Sequence, residues 1–283
     1  MTTYVLYNGK SGNGKGGQNA QKVRTLCKGR DLTFRDVLEI SDYSAFFKEL
    51  GADDDIILCG GDGTLNHFIN DIDGLELKND VYFYPTGTGN DFWKDMGKTA
   101  EDGPALINRY LKDLPTVTVK GKKSKFINGI GYGIDGYCCE EGDKLRVAGQ
   151  KDINYTSIAI KGLLFKYKPT NAKVTVDGKE YSFERVWLAP TMKGRFYGGG
   201  MMPTPDQNRF SENHEVSVMV MFGAGKVKTL AAFPTIFKGE HVKKEKIVKV
   251  MKGKNVNVKF DRPVALQIDG ETVLNVTEYS VEA

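Results

Sequence analysis

Three short segments combine glycine with polar side chains in ways that suit phosphate chemistry. The first is Asn8-Gly9-Lys10-Ser11-Gly12-Asn13-Gly14-Lys15-Gly16-Gly17. It satisfies GxGxxG from Gly12 to Gly17 and nearly satisfies the P-loop pattern from Gly9 through Lys15. Gly16, however, stands where that pattern needs a Ser or Thr hydroxyl. Glycines let backbone N–H groups approach phosphate oxygens, and a helix start that follows favours negative charge. The second segment is Cys59-Gly60-Gly61-Asp62-Gly63-Thr64-Leu65-Asn66. A carboxylate between glycines can hold a metal, accept from a ribose hydroxyl or brace a turn, and Thr64 adds a hydroxyl. The bland alternative is a tight turn with Asp62 as a helix N-cap. The third is Pro85-Thr86-Gly87-Thr88-Gly89-Asn90-Asp91-Phe92, which sets a hydroxyl, an amide and a carboxylate on one turn. Any one of these is a common loop. Three at successive strand ends would share one sheet edge, and donors beside two carboxylates there suit a nucleotide polyphosphate with Mg²⁺.

The elements that must position these turns follow from hydrophobic spacing. Over the first 120 residues, apolar runs at 3–8, 33–38, 55–59, 80–84 and 116–120 alternate with helical patterns at 17–28, 42–50, 63–71 and 102–112. Strand–helix alternation predicts a mostly parallel, Rossmann-like sheet with helices on both faces, and ligands at the carboxyl ends of its strands. Beyond residue 121 the texture changes to runs typical of antiparallel strands, at 126–134, 172–177, 181–189, 215–222, 246–251, 255–260 and 264–268. Helical stretches near 153–167 and 226–237 interrupt them. The expected organisation is an α/β nucleotide-binding domain over 1–120 and a β-rich, sandwich-like domain over 121–283.

Composition narrows the class. A chain of 283 residues accommodates one or two cores. The net charge of +4 is too small to indicate nucleic-acid binding. Cys27, Cys59, Cys138 and Cys139 form no CxxC pair, which fits a reduced compartment. Neither a signal peptide nor an apolar run long enough to span a bilayer is visible. The expected location is cytoplasmic, and any membrane contact would be peripheral.

Five motifs in order then carry a resemblance: Gly60-Gly61-Asp62-Gly63-Thr64, Gly87-Thr88-Gly89-Asn90-Asp91-Phe92, Gly131-Tyr132-Gly133-Ile134-Asp135-Gly136, Gly198-Gly199-Gly200-Met201 and Asp269-Gly270-Glu271. Together they resemble the diacylglycerol-kinase catalytic family, which includes bacterial lipid kinases and is similar to sphingosine and ceramide kinases. The resemblance implies ATP and Mg²⁺ as cofactors, an active site in a cleft between the two domains, and transfer of the γ-phosphoryl group to a lipid hydroxyl, diacylglycerol above others. It implies nucleotide contacts from Asn8, Gly9, Lys10, Ser11, Gly12, Gly60, Gly61, Asp62, Gly63, Thr64, Leu65, Asn66, Thr88 and Asn90. Asp62 and Asp91 would handle nucleotide and Mg²⁺, and Glu271 would act as general base. Three departures stand out. Gly9 replaces a usual Pro, His67 replaces a common Glu, and 205–216 lacks the Asp-Gly pair of the metal loop in bacterial members. That metal site is therefore not carried over.

A lipid acceptor implies an anionic membrane surface as partner. Two basic stretches, 151–168 and 238–254, could meet it. The plain alternative is a buried apolar face with solvated lysines. Rival functions are a NAD kinase or another soluble-acceptor kinase, a Rossmann dehydrogenase using Asp36 or Glu39 as ribose acid, and a catalytically silent nucleotide sensor. The later glycine turns disfavour the dehydrogenase, and Glu271 disfavours the sensor.

Overall fold

The strand β3 (Asp55–Gly60) is buried along its whole length, as a central strand covered on both faces must be. In the computed structural model, which describes residues 1–87, 89–150 and 152–283, it lies in a sheet ordered β2-β1-β3-β4-β5. The others are β1 (Thr2–Tyr7), β2 (Asp31–Asp36), β4 (Val81–Pro85) and β5 (Ala105–Leu106). All pairings are parallel except that of β4 with β5. Because β2 and β3 flank β1 on opposite sides, the crevice beyond the carboxyl ends of β1 and β3 is a topological switch point, where open α/β sheets bind ligands. One face carries Val5, Ala20, Val23, Ile57 and Cys59. Helix α4 (Tyr43–Glu49) is capped by Asp42, whose carboxylate accepts from Ser44 N and Ala45 N, and its Tyr43 ring meets Phe68 of helix α5 (Asp62–Asp71) edge-on.

Two expected helices of this unit differ. The run 17–28, with its neighbours, forms three short turns, α1 (Ser11–Gly14), α2 (Gly16–Ala20) and α3 (Val23–Leu26). Four glycines between 12 and 17 make one continuous helix costly. The run 102–112 is not an α-helix. Gly103-Pro104 opens it, Ala105–Leu106 adds an antiparallel edge to β4, and only a 3₁₀ turn, Asn108–Tyr110, follows.

The chain divides into Met1–Asp113 and Leu114–Ala283, earlier than the expected change at 120. The strand β6 (Thr116–Val119) pairs with Tyr279–Glu282, so it belongs to the second unit rather than to the parallel sheet. Pairing partners, which no local pattern encodes, decide this boundary.

The second unit is antiparallel. Its strands are β6, β7 (Lys122–Lys125), β8 (Gly129–Tyr132), β9 (Thr170–Val176), β10 (Lys179–Val186), β11 (Thr191–Met192), β12 (Val216–Met221), β13 (Val248–Gly253), β14 (Asn255–Ile268) and β15 (Glu271–Glu282). The expected runs 255–260 and 264–268 are one strand. Its first half pairs with β9 and its last residues pair with β8. Register shifts between Lys259 and Leu266 mark the bend that lets β14 serve both partners. Residues 271–282, which carried no expected strand, pair with β14 along most of their length. Tyr132 and Phe260 stack with centroids 3.9 Å apart, and the Tyr132 hydroxyl donates to Val276 O at 2.7 Å.

Helix α7 (Ile134–Val147) is missing from the sequence expectations. It lies against β14 so closely that a Cβ on Gly136 would fall 1.9 Å from the Ala265 carbonyl oxygen. Glu140 and Glu141 pairing with Lys144 was a legible helix signal. The remaining helical expectations appear as α8 (Tyr155–Lys161) running into a π-turn, Gly162–Lys166, and as α9 (Lys226–Ala232) running into a 3₁₀ turn, Phe233–Lys238.

His241 is fully buried in the second unit, and its Nε2–H donates to the Pro203 carbonyl at 2.9 Å. Burial lowers its pKa below the ordinary 6.5. From pH 7 downward, the unfolded chain takes up this proton first, so stability falls through about 6.5 until the folded value is passed. Unfolding midpoints in urea should therefore drop more steeply between pH 7 and 5 for the native chain than for His241→Gln. Parallel curves would contradict this account.

Candidate functional site

The turn after β1 is braced from within. Asn8 O accepts from Ser11 N at 3.0 Å and from Ser11 Oγ at 2.8 Å, and Asn8 Oδ1 accepts from Lys10 N at 3.0 Å. Gly9 N donates to both carboxylate oxygens of Asp36, at 3.2 Å each. Asp36 ends β2 and also accepts from Leu38 N at 3.1 Å. The amide of Gly9 is thus held by Asp36, and those of Lys10 and Ser11 by Asn8. Gly12, at φ 57°, lets the chain turn into α1 and α2. From α2, Asn19 Nδ2 reaches Thr86 O at 3.4 Å, which ties the first turn to the third.

The second and third turns are stitched more tightly. Gly60 O accepts from Thr86 N at 2.8 Å, and Asp62 N donates to Gly89 O at 3.2 Å. The Asp62 carboxylate accepts from Asp91 N at 2.9 Å and from Phe92 N at 3.0 Å, so it caps helix α6 (Asp91–Asp95) from another segment. A Cβ on Gly87 would stand 2.8 Å from Gly61 Cα, so the two turns touch backbone to backbone. Within α5, Thr64, Leu65 and Asn66 are buried, while Gly63 is half-buried and His67 is exposed. Asn90 Nδ2 donates to Gly87 O at 2.9 Å, and Asp91 is buried. Thr88 lies outside the described residues.

Two buried polar atoms here, Thr86 Oγ1 and Asn90 Oδ1, have no hydrogen-bond partner among the described residues. Such atoms are costly unless a ligand or water completes them. They sit at the carboxyl end of β4, beside the switch point, and fit hydroxyl or amino groups of a nucleotide. The Asp62 carboxylate and the adjoining Asp91 meet at this turn, and a carboxylate can accept more than two hydrogen bonds. Mg²⁺ carried by phosphates needs only one or two carboxylates, so the residues present fit that ion. Among the described residues, no group of three or more His, Cys, Asp or Glu side chains is arranged to hold a metal.

In the second unit, Glu271 opens β15 at the end of a two-residue hairpin, where Ile268 pairs with Glu271. Asp269 (φ 46°) and Gly270 (φ 99°) both take the left-handed backbone that a type I′ turn requires. Asp269 is buried, and its carboxylate accepts from Ile127 N at 2.7 Å, Asn128 N at 2.9 Å and Gly129 N at 2.9 Å. Gly270 N donates to Gln267 Oε1 at 2.6 Å, and Gln267 Nε2 donates to the buried Asp135 at 2.9 Å. On the far side, Thr272 Oγ1 donates to Asp143 Oδ2 of α7 at 2.6 Å. Glu271 itself is exposed, so a fixed backbone presents it to solvent.

Sequence reasoning missed several residues that hold this arrangement. Asp36, Asp135, Gln267 and Asp269 brace the two sets of turns. Arg209 donates to Ile127 O and, at 2.7 Å, to Asn128 Oδ1, from the 205–216 segment where the metal loop was not carried over. Asp135 and Asp269 lay inside quoted motifs, so their positions were visible. Their partners are about 130 to 140 residues away in the chain, which no spacing reveals.

Comparison with known proteins matches both units. The profile of the diacylglycerol kinase catalytic domain matches residues 2–119, and that of the YegS C-terminal NAD kinase beta sandwich-like domain matches residues 128–280. A diacylglycerol kinase of Mycobacterium tuberculosis (strain CDC 1551 / Oshkosh) is 25% identical over 213 residues, which is 72% of this chain and 66% of that enzyme. The matched stretch thus spans slightly less than two thirds of that relative. A diacylglycerol kinase of Bacillus subtilis (strain 168) is 26% identical over 76% of this chain and 70% of its own length. In fold, the chain is similar to a crystal structure of a diacylglycerol kinase from Bacillus anthracis str. Sterne, at 21% identity and TM-score 0.61, over 99% of this chain and 93% of that one. With its catalytic-domain profile over the parallel sheet and its sandwich-like profile over the antiparallel one, the chain belongs to the diacylglycerol-kinase catalytic family.

Proposed function

We propose that this protein is an ATP-dependent lipid kinase, with diacylglycerol as acceptor and phosphatidic acid as product. The observation that carries the nucleotide half is the stitching of the 60–66 and 86–92 turns through Asp62, beside the unpartnered Thr86 Oγ1 and Asn90 Oδ1. Thr86, Asn90 and the glycine backbones of 60–63 would hold ATP. Asp62 and Asp91 would hold Mg²⁺, which when bound neutralises charge on the phosphates.

In the second unit, Glu271 takes the proton of the acceptor hydroxyl as its oxygen bonds to the γ-phosphorus. The bond from that phosphorus to the bridging oxygen breaks, and ADP leaves. Positioning supplies most of the rate in phosphoryl transfer, so a base on a rigid hairpin suits the task. The names of the family relatives support a lipid acceptor, and the anionic bilayer that presents it is the expected partner.

Two variants test the two halves. Glu271→Gln should lose transfer to diacylglycerol in mixed micelles by about a hundredfold or more, the range general-base catalysis supplies, while binding ATP normally in calorimetry. Native-like turnover in that variant would rule out Glu271 as the base. Gly87→Ala should force the Gly61 and Gly87 backbones apart and raise the Kd for ATP at least about tenfold, equivalent to about 1.4 kcal/mol. Unchanged ATP affinity with native circular dichroism would refute the placement of the nucleotide at these turns.

A further inference from the structure

The backbone of Ile127-Asn128-Gly129, on which the Glu271 hairpin rests, is gripped from two sides. Its three N–H groups donate to the buried Asp269 carboxylate. Its acceptors go elsewhere. Gly129 O accepts from Asp269 N at 3.0 Å, and Asn128 O accepts from Lys193 N at 2.9 Å and from Gly194 N at 3.0 Å. Ile127 O accepts from Arg209 Nη1, and the buried Asn128 side chain accepts at Oδ1 from Arg209 Nη2 at 2.7 Å. An anion thus collects the donors of this short segment, while a guanidinium collects two of its acceptors. Hydrogen bonds to ionised groups are stronger than neutral ones, and peptides held between opposite charges polarise one another.

Arg209 is itself fixed in place. It lies in the loop before β12, and the loop is closed by the buried Gln207. Gln207 N donates to Thr204 O at 3.0 Å, its Nε2 donates to Glu215 O at 2.9 Å, and its Oε1 accepts from the buried Ser217 hydroxyl. Arg209 therefore stands two residues from a buried anchor. A planar fork of donors can serve two acceptors at once, which the single head of a lysine does less well. The same segment lacks the Asp-Gly pair of a metal loop, and among the described residues no three-ligand metal group forms. The cation that it brings to Ile127 and Asn128 is a side chain of the chain itself.

We infer that Arg209 is a positioning residue for Glu271, acting through Ile127-Asn128 and Asp269, and that its guanidinium does in this chain what a loop metal would otherwise do. The inference rests on the reading of Glu271 as general base. The route is short. Asp269 holds the left-handed Asp269-Gly270 pair, and Glu271 follows directly. Without the guanidinium, Ile127 O and Asn128 Oδ1 lose this donor inside the unit, and the segment that Asp269 grips is free to shift. The bond from Thr272 to Asp143 at 2.6 Å still holds the far side. The fold therefore persists while the base loses its aim.

The test uses the full chain with ATP, Mg²⁺ and diacylglycerol in mixed micelles. Arg209→Met should lower kcat at least about tenfold and leave KM for ATP and for the acceptor within about twofold, because a misplaced base weakens the transition state alone. Free guanidinium at a non-denaturing concentration should restore much of the rate lost in Arg209→Ala, and urea at the same concentration should not. Arg209→Lys should fall between the native chain and Arg209→Met, and it carries the same measurements if the methionine variant does not fold. Amide hydrogen exchange at Ile127, Asn128 and Gly129 should quicken in Arg209→Met while β1 and β3 of the first unit stay protected. The native chain should melt at the same temperature in Mg²⁺ and in EDTA. Native kcat in Arg209→Met, a loss confined to KM, guanidinium and urea acting alike, or native protection at 127–129 would overturn the positioning role. A lower melting temperature in EDTA would overturn the replacement of a metal by Arg209. If the native chain transfers phosphate to no lipid, the reading of Glu271 as base fails instead, and exchange at 127–129 decides the bracing by itself.

Discussion

The Asp62 carboxylate is the joint on which the first unit's candidate site depends. It leaves the end of β3 and accepts two peptide N–H groups from the start of α6, a segment that follows β4. Hydrogen bonds to a charged acceptor contribute about 1.5–3 kcal/mol each, enough to fix one turn against the other. With that joint made, Gly61 and Gly87 can approach backbone to backbone, and the orphaned oxygens of Thr86 and Asn90 take fixed places. The helix-cap and ligand-holding roles weighed for Asp62 are therefore compatible. It is a cap, though for a helix other than its own, and a carboxylate can accept more than two hydrogen bonds.

An equivalent device operates in the second unit. The buried Asp269 gathers three consecutive peptide N–H groups, a nest whose donors would otherwise be stranded in the core. This forces the left-handed turn and sets where β15 begins. Glu271 contributes little to the fold, yet its backbone is held by Asp269, Gln267 and Asp143 through their neighbours. In both units a buried or half-buried aspartate is spent on geometry, and a neighbouring position is left for chemistry.

Much of this was legible in the sequence. Strands β1, β3 and β4 announced themselves as apolar runs ending in glycine, and the alternation with helices gave the parallel sheet. What stayed hidden depends on partners distant in the chain. Thr116–Val119 looks like a fifth parallel strand until Tyr279–Glu282 is found beside it. Gly103-Pro104 should have weighed against a helix at 102–112, and the charged i,i+3 and i,i+4 pairs of 140–144 should have raised α7. The bracing of Gly9 by Asp36 was out of reach, because the carboxylate there reads equally well as a ribose acid.

The pairing of β6 with β15 also orders events during synthesis. Residues 116–119 emerge from the ribosome long before their partners at 279–282, whereas the parallel sheet before them is already whole. A nascent chain therefore carries a finished first unit attached to an open strand edge that waits for more than 150 residues. Such edges recruit stray strands while they wait. The lysine-rich β7, Lys122–Lys125, covers one side of β6 and would act as a guard rail during the interval.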